Sequence, residues 1–296
     1  MRQEPPEPVY DRNNPRRSGA DLLQFHLRQL GLGEWWLTRD GKTVDGGGAH
    51  PTETGWCRAG GVTEAAWPEG AELCGVVDWF PGSTFRRNAR TGKVPRWAEH
   101  HWETGLADVA DALESRGFVV ERNRPPQGPD YNGHAETLVY RVPPGVEPAR
   151  LPADAWEGAT PHPPNFKDGH SWYPAPHPVQ EAERVLTDAD LIGKSSYFNP
   201  RPKQGIGQCS VNVLPQLVWP YRAELAAWVR WWPDERFQRD TASGGVPEGA
   251  ADHWTERVPL IGKAFVGAGY EVRQPERHQE PSTDEHADFV VYRVKQ

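Results

Sequence analysis

The sequence contains one long segment twice, and this duplication restricts what the chain can fold into more than any other feature. Aligning residues 41–144 with residues 193–296 requires no gap and gives 31 identical residues in 104 positions. Unrelated sequences agree at roughly one position in twenty, so the similarity indicates an internal duplication. The landmark pairs are Gly41/Gly193, Cys57/Cys209, Trp67/Trp219, Trp79/Trp231, Phe85/Phe237, Trp102/Trp254, Gly117/Gly269 and Tyr140/Tyr292.

The repeat predicts two tandem homologous domains in a chain of 296 residues. Its period lies far above the 20 to 50 residues of solenoid repeats, and each copy is long enough to bury its own core. We therefore expect an extended N-terminal arm (1–18), a first repeat (19–144), a Pro-rich connector (145–178) and a second repeat (179–296). The predicted fold class is α+β, with about three helices and one short antiparallel strand pair in each domain.

Apolar periodicity supplies the secondary structure of each predicted domain. A leading helix is expected at 18–31 with Ser18 as its N-cap, and at 179–193 in the second copy. The run AELCGVVDWF fits a strand or a helix, and PYRAELAAWVRWW in the second copy favours a helix because Ala and Leu dominate it. A second helix is predicted at 98–113 and at 250–265, where Pro259 is expected to interrupt it.

Short runs rich in Val, Tyr and Phe follow the glycine that ends each second helix. FVVER with ETLVYRV, and YEVRQ with DFVVYRV, are each predicted to form an antiparallel strand pair.

The amino-acid composition limits the class of protein but does not indicate a reaction. The net charge of −8 argues mildly against a nucleic-acid coat or an anionic membrane partner, and three cysteines give no disulfide framework. The polar, Pro-rich first residues do not resemble a secretory signal, and no apolar run is long enough to span a bilayer. We expect a cytoplasmic protein, or a virion protein if a phage encodes it. The 26 arginines against 7 lysines indicate a GC-rich genome such as that of an actinobacterium.

One cysteine and two histidines recur in both copies and are the best candidates for chemistry. A thiol and two imidazoles can bind zinc or form a nucleophile and base. The three residues are 33 to 44 positions apart, without a compact ligand spacing. Buried cysteines and hydrogen-bonded histidines are common in cores, so structural roles are favoured and no cofactor is expected. The two sets are Cys57, His101 and His134, and Cys209, His253 and His286.

A basic loop before the second helix is the candidate binding site. Residues 86–96 carry five positive charges and no acid, a composition that suits phosphate or a nucleic-acid backbone, whereas the matching loop of the second copy has lost most of this charge. The candidate binding residues are Arg86, Arg87, Arg90, Lys93 and Arg96, together with Arg239. Arg87, Glu72 and Arg141 recur as Arg239, Glu224 and Arg293. Buried or half-buried Arg–Glu pairs are expected among them, with an anion site as the alternative.

No catalytic motif accompanies these residues, because the chain lacks GxSxG, HExxH, CxxC and a phosphate loop. Tryptophans such as Trp35-Trp36 and Trp231-Trp232 are more than two small cores need, so some are expected at an interface. The leading hypothesis is a non-enzymatic interaction or structural protein, such as an assembly or virion component, that binds a protein partner or itself. A Cys–His or zinc enzyme and a nucleic-acid-binding protein remain the alternatives.

Overall fold

The computed structural model describes residues 7–11, 15–33, 55–88, 93–121, 135–151, 177–192, 205–238, 245–278 and 286–294. The chain forms two compact units. The first comprises Met1–Val62 and Trp67–Pro164, and the second comprises Thr63–Ala66 and Asn165–Gln296. Of the predicted arm, residues 7–11 and 15–18 are described, and 15–18 already belong to the first helix rather than to an extended arm. The predicted connector lies mostly outside the described residues. Within the described part, no helix is both long and apolar enough to cross a lipid bilayer.

A four-stranded antiparallel sheet organises the first unit. Its strands are β1 (Trp56–Gly61), β2 (Leu73–Phe80), β3 (Val119–Glu121) and β4 (Ala135–Arg141), in the spatial order β1-β2-β4-β3. Helix α1 (Pro15–Gln29) precedes the sheet in the sequence, and helix α2 (Glu99–Glu114) lies between β2 and β3. Leucines of α1, apolar residues of α2 and alternate residues of β2 form one hydrophobic core.

The second unit repeats this architecture. Helix α3 (Pro178–Asp188) is followed by β5 (Gln208–Val213), β6 (Ala223–Trp232), helix α4 (Ala250–Gly267), β7 (Glu271–Arg273) and β8 (Ala287–Val294). The spatial order of its strands is β5-β6-β8-β7, and it has a hydrophobic core of its own. The strand registers also match: Cys57 pairs with Trp79 in the first sheet, and Cys209 pairs with Trp231 in the second.

The predicted helix-rich domains with a two-stranded pair are wrong. Both runs predicted as the first central helix, AELCGVVDWF and its copy, form the strands β2 and β6. Each of these strands has a hydrogen-bonded neighbour on both sides, and side chains on both of its faces are buried. A strand buried on both faces is apolar without alternation, so its periodicity cannot be told from that of a buried helix.

The predicted helix α2 and its copy α4 are present and end as the sequence indicates. Gly117 and Gly269, just past the two helices, both have φ of +81°. This left-handed conformation suits glycine and lets the following residue donate its N–H back to the last turn, as Phe118 does to Leu113. The expected interruption at Pro259 does not occur, because α4 continues through that residue.

The leading helix α1 begins at Pro15, three residues before the predicted start. Ser18 is therefore inside the helix and buried, and it is not the N-cap. Its hydroxyl accepts a hydrogen bond from the backbone N–H of Asp11 and donates one to the carbonyl of the same residue. These two bonds tie the segment 7–11 to the start of the helix.

Candidate interaction surface

The two cysteines of the candidate sets lie in the hydrophobic cores. Cys57 on β1 and Cys209 on β5 are both almost completely buried, each in the core of its own unit. Burial raises the pKa of both thiols, to about 12 for Cys209. A thiol in such a position stays protonated at neutral pH, whereas a metal ligand or nucleophile must be a thiolate.

The first histidine of each set packs inside an aromatic cluster. The ring of His101 stacks on Phe85 with centroids 3.8 Å apart, and lies 5.6 Å from the Trp79 ring. The ring of His253 repeats this arrangement against Phe237 at 4.4 Å and Trp231 at 5.6 Å. Burial is the main cause that lowers the pKa of both imidazoles, so both favour the neutral form.

A second tryptophan completes each aromatic cluster. Trp102 meets Trp79 edge to face at 5.2 Å, and Trp254 meets Trp231 in the same way at 5.5 Å. The indole Nε1 of Trp102 also donates a hydrogen bond of 2.6 Å to the carbonyl of Phe85. We call these groups the aromatic clusters: Trp79, Phe85, His101 and Trp102 in the first unit, and Trp231, Phe237, His253 and Trp254 in the second.

The last histidine of the second set has different neighbours. His286 precedes β8, with Nε2 3.5 Å from a carboxylate oxygen of Asp288 and its ring 5.5 Å from the His278 ring. His134 lies outside the described residues. Among the residues that are described, no three His, Cys, Asp or Glu side chains form a group that could hold a metal ion.

A buried charge network in the second sheet was missed by sequence reasoning. The Arg230 guanidinium donates to both carboxylate oxygens of Asp288, at 2.7 and 3.0 Å, and the Trp228 indole donates at 3.0 Å. Burial by itself raises the pKa of Asp288, but hydrogen bonds from His286 and Arg230 outweigh it and hold that pKa well below its ordinary value. Its one visible signal was a charged residue inside an apolar run, Arg230 in β6.

An expected Arg–Glu pair is present in each unit with the same geometry, and its arginine is Arg141 or Arg293 rather than Arg87 or Arg239. Arg141 Nε lies 2.6 Å from Glu72 Oε1, and Arg293 Nε lies 2.6 Å from Glu224 Oε1. All four side chains are about one-third to two-fifths exposed. Each pair joins the start of the central strand to the end of its neighbour, so it fixes the sheet rather than offering an anion site.

The basic loop divides into exposed cations and one that packs inward. Arg86, Lys93 and Arg96 are exposed, and the N–H of Asn88 bonds the carbonyl of Lys93 at 3.0 Å to close the loop. The guanidinium of Arg87 instead lies 4.5 Å over the Trp102 ring, against the aromatic cluster. Arg90 and Arg239 lie outside the described residues.

Next to these cations is an exposed tryptophan that sequence reasoning did not single out. Trp97 is 63% exposed, and its ring centroid is 5.7 Å from that of Phe85, so it extends the first aromatic cluster to the surface. The signal that could have found it is the alignment of the two copies, because glycine (Gly249) occupies the same position in the second.

Comparison with protein-family models, curated proteins and solved structures gave no match for this chain. The two units are therefore compared with each other. The aromatic clusters have the same residues at all four positions, whereas two neighbouring positions that are exposed in the first unit differ: Arg96 against Glu248, and Trp97 against Gly249. The retained Cys and His residues thus coincide with retained packing, while the side chains beside the clusters have changed.

Proposed function

We propose that this chain is a non-enzymatic interaction protein that acts in an assembly, for example as a structural or virion component. The observation that carries the proposal is Trp97, a large aromatic side chain left 63% exposed beside exposed cations. Tryptophan and arginine are the residue types most enriched among those that dominate binding energy at protein interfaces. Single exposed apolar residues are ordinary on protein surfaces. The Trp97 ring, however, packs beside Phe85, so it has less conformational freedom to lose when a partner binds.

The environment of the cysteines and histidines supports the same proposal against a Cys–His or zinc enzyme. Both thiols are buried with raised pKa values, and both stacked imidazoles have lowered ones. A nucleophile–base pair needs the opposite, a thiol that ionises readily next to a basic imidazole. Packing of the imidazoles on Trp and Phe rings, and of the thiols in the hydrophobic cores, accounts for the presence of these residues in both copies.

The proposal is tested by the size of the protein in native lysate. We expect wild-type chain to migrate in a complex larger than its own 33.2 kDa, and Trp97→Ala to migrate as the isolated chain. Val266→Ala is the matched control, because Val266 is 62% exposed on α4 and belongs to neither aromatic cluster. A wild-type chain that migrates alone at 33.2 kDa at every concentration would refute an interaction role.

A further inference from the structure

The end of the loop before the second helix of each unit (α2 and α4) differs between the two units. We define the Trp97 surface as Arg86, Lys93, Arg96 and Trp97, and the Gly249 surface as Val246, Glu248, Gly249 and Asp252. These residues are exposed in both units except Gly249, which is partly buried and carries no side chain. The positions of Arg96 and Trp97 on one surface correspond to those of Glu248 and Gly249 on the other.

The two surfaces differ in side-chain size at one aligned position. In the first unit the Trp97 ring projects beside Phe85, with centroids 5.7 Å apart. In the second unit the same position is Gly249, where a Cβ would meet only Phe237 Cε1, at 3.4 Å, so no side chain stands beside Phe237 at this position. The half-exposed Val246 adds apolar area, and the guanidinium of Arg236, 5.4 Å from the Phe237 centroid, is a further group on which an indole can stack.

The two surfaces are complementary in charge. The Trp97 surface carries three positive charges and the Gly249 surface two negative ones. The exposed acids Glu99 and Glu103 follow Trp97 on α2, so the surroundings of the Trp97 surface are mixed in sign. Together with a net charge of −8, these acids oppose a phosphate backbone, whereas a protein surface can match both signs.

We propose that the Trp97 surface of one chain binds the Gly249 surface of a second copy of the same chain. This inference rests on the proposed interaction function and names its partner. The contact joins different patches on the two copies, so the bound pair still has one unused patch of each kind to which further copies can bind. Repetition of such a contact gives a closed ring or an open filament.

Sedimentation velocity of the purified full-length chain tests the proposal. We expect species heavier than 33.2 kDa that increase with protein concentration and decrease with added salt. Trp97→Ala and Arg96→Glu should each raise the dissociation constant at least about tenfold, the scale of an interface hot spot. Asp108→Arg, a charge change of equal size on the exposed face of α2, should leave the association unchanged.

Mixing two defective variants distinguishes this contact from a symmetric one. Trp97→Ala damages only the first surface and Glu248→Arg only the second, so each alone should be monomeric. Their mixture retains one intact surface of each kind and should form a 1:1 complex of twice 33.2 kDa that grows no further. If Glu248→Arg alone self-associates like the wild type, the Trp97 surfaces bind each other and the proposal is wrong.

The remaining outcomes separate this inference from the function on which it rests. If the purified wild type is monomeric at all concentrations, the self-association proposal is wrong. If the complex in lysate nevertheless depends on Trp97, the proposed interaction function still stands. In a third outcome, the purified chain binds a labelled single-stranded oligonucleotide in a salt-sensitive manner, with binding abolished by Arg96→Glu and with no self-association. This result would replace the self-association proposal with nucleic-acid binding. All variants should show the unfolding temperature of the wild type, because each replaces an exposed side chain.

Discussion

Replacing the buried cysteine of the second unit tests whether the Cys–His residues serve packing or chemistry. Cys209 is 1% exposed among apolar side chains. Cys209→Ala removes one buried heavy atom and should lower the free energy of unfolding by about 1 kcal/mol. Cys209→Ser buries a hydroxyl in the same apolar place and should lower it by about 2 kcal/mol. Urea unfolding at pH 7 measures both values.

The raised pKa of the Cys209 thiol adds a pH dependence with a defined sign. Because the pKa of this thiol is about 12 in the folded chain, against an ordinary value of 9.0, the unfolded chain loses this proton first as the pH rises. The stability that comes from the raised pKa is therefore complete below pH 9 and is lost above it. At pH 10 the loss is about 1.4 kcal/mol, so the disadvantage of Cys209→Ala at pH 7 should disappear or reverse.

A zinc-bound thiolate predicts the opposite behaviour. Such a thiolate is already deprotonated in the folded protein, so stability would fall at acidic pH and show no alkaline loss from this group. Purified protein would then carry zinc, Cys209→Ser and Cys209→Ala would both release it, and EDTA would lower the unfolding midpoint. Any one of these three results would refute the packing role. Cys57→Ala and Cys57→Ser repeat the test in the first unit.

Other predictions concern the aromatic clusters, the histidines and one strained turn. Trp102→Phe should lower the free energy of unfolding by about 1–3 kcal/mol because it leaves the carbonyl of Phe85 unpaired. Trp254→Phe should lower it less, since Trp254 Nε1 has no hydrogen-bond partner within the described residues. Urea unfolding of both variants compares the two values. Because the pKa of His253 is lowered in the folded chain, the unfolded chain binds this proton first on acidification, and the free energy of unfolding should fall as the pH drops below about 6.5. His253→Gln should reduce this loss when urea unfolding is compared at pH 7 and pH 5. Arg222 has φ of +62° in a turn where the first unit has glycine. Arg222→Gly should therefore raise the free energy of unfolding by about 1 kcal/mol. A free energy of unfolding below that of the wild type would show that no strain is present.

The sequence predicted the amphipathic elements of each unit and missed its central strand. Helix α2 has one buried and one exposed side, and this asymmetry is visible as periodicity. The β3–β4 pair could be predicted because its short runs are rich in Val, Tyr and Phe. Strand β2 has no exposed side, so apolar periodicity gives no information about its secondary structure. The remaining information is the intrinsic preference of the residues for helix or strand, and Ala and Leu wrongly favoured a helix. Comparing the two copies did not help, because both place the same kind of apolar run in the same buried position.

The pairing of β1 with β2 shows why the first strand of the sheet was also missed. Six consecutive residue pairs join these strands, yet Trp56–Gly61 includes two glycines and an arginine, so the sequence does not predict a strand there. The strand exists because β2 supplies a partner for its backbone groups, and the run that forms β2 is predicted as a helix. One wrong assignment at the centre of the sheet therefore removes β1 as well, because β1 has no other partner strand within the described part of the sheet.

The candidate site shows the converse relation between repetition and function. Residues that recur in both copies, such as Cys57 and His101, drew attention as possible chemistry, but residues packed inside each unit can recur for packing alone. Repetition by itself therefore does not distinguish a site from a core. A solvent-facing position has no packing constraint, so the two repeats of one chain can change there independently, as Trp97 against Gly249 and Arg96 against Glu248 have done. In a symmetric dimer of a single domain, every substitution appears on both sides of the contact. The proposed contact between the Trp97 surface and the Gly249 surface therefore uses two patches that the duplication allowed to diverge.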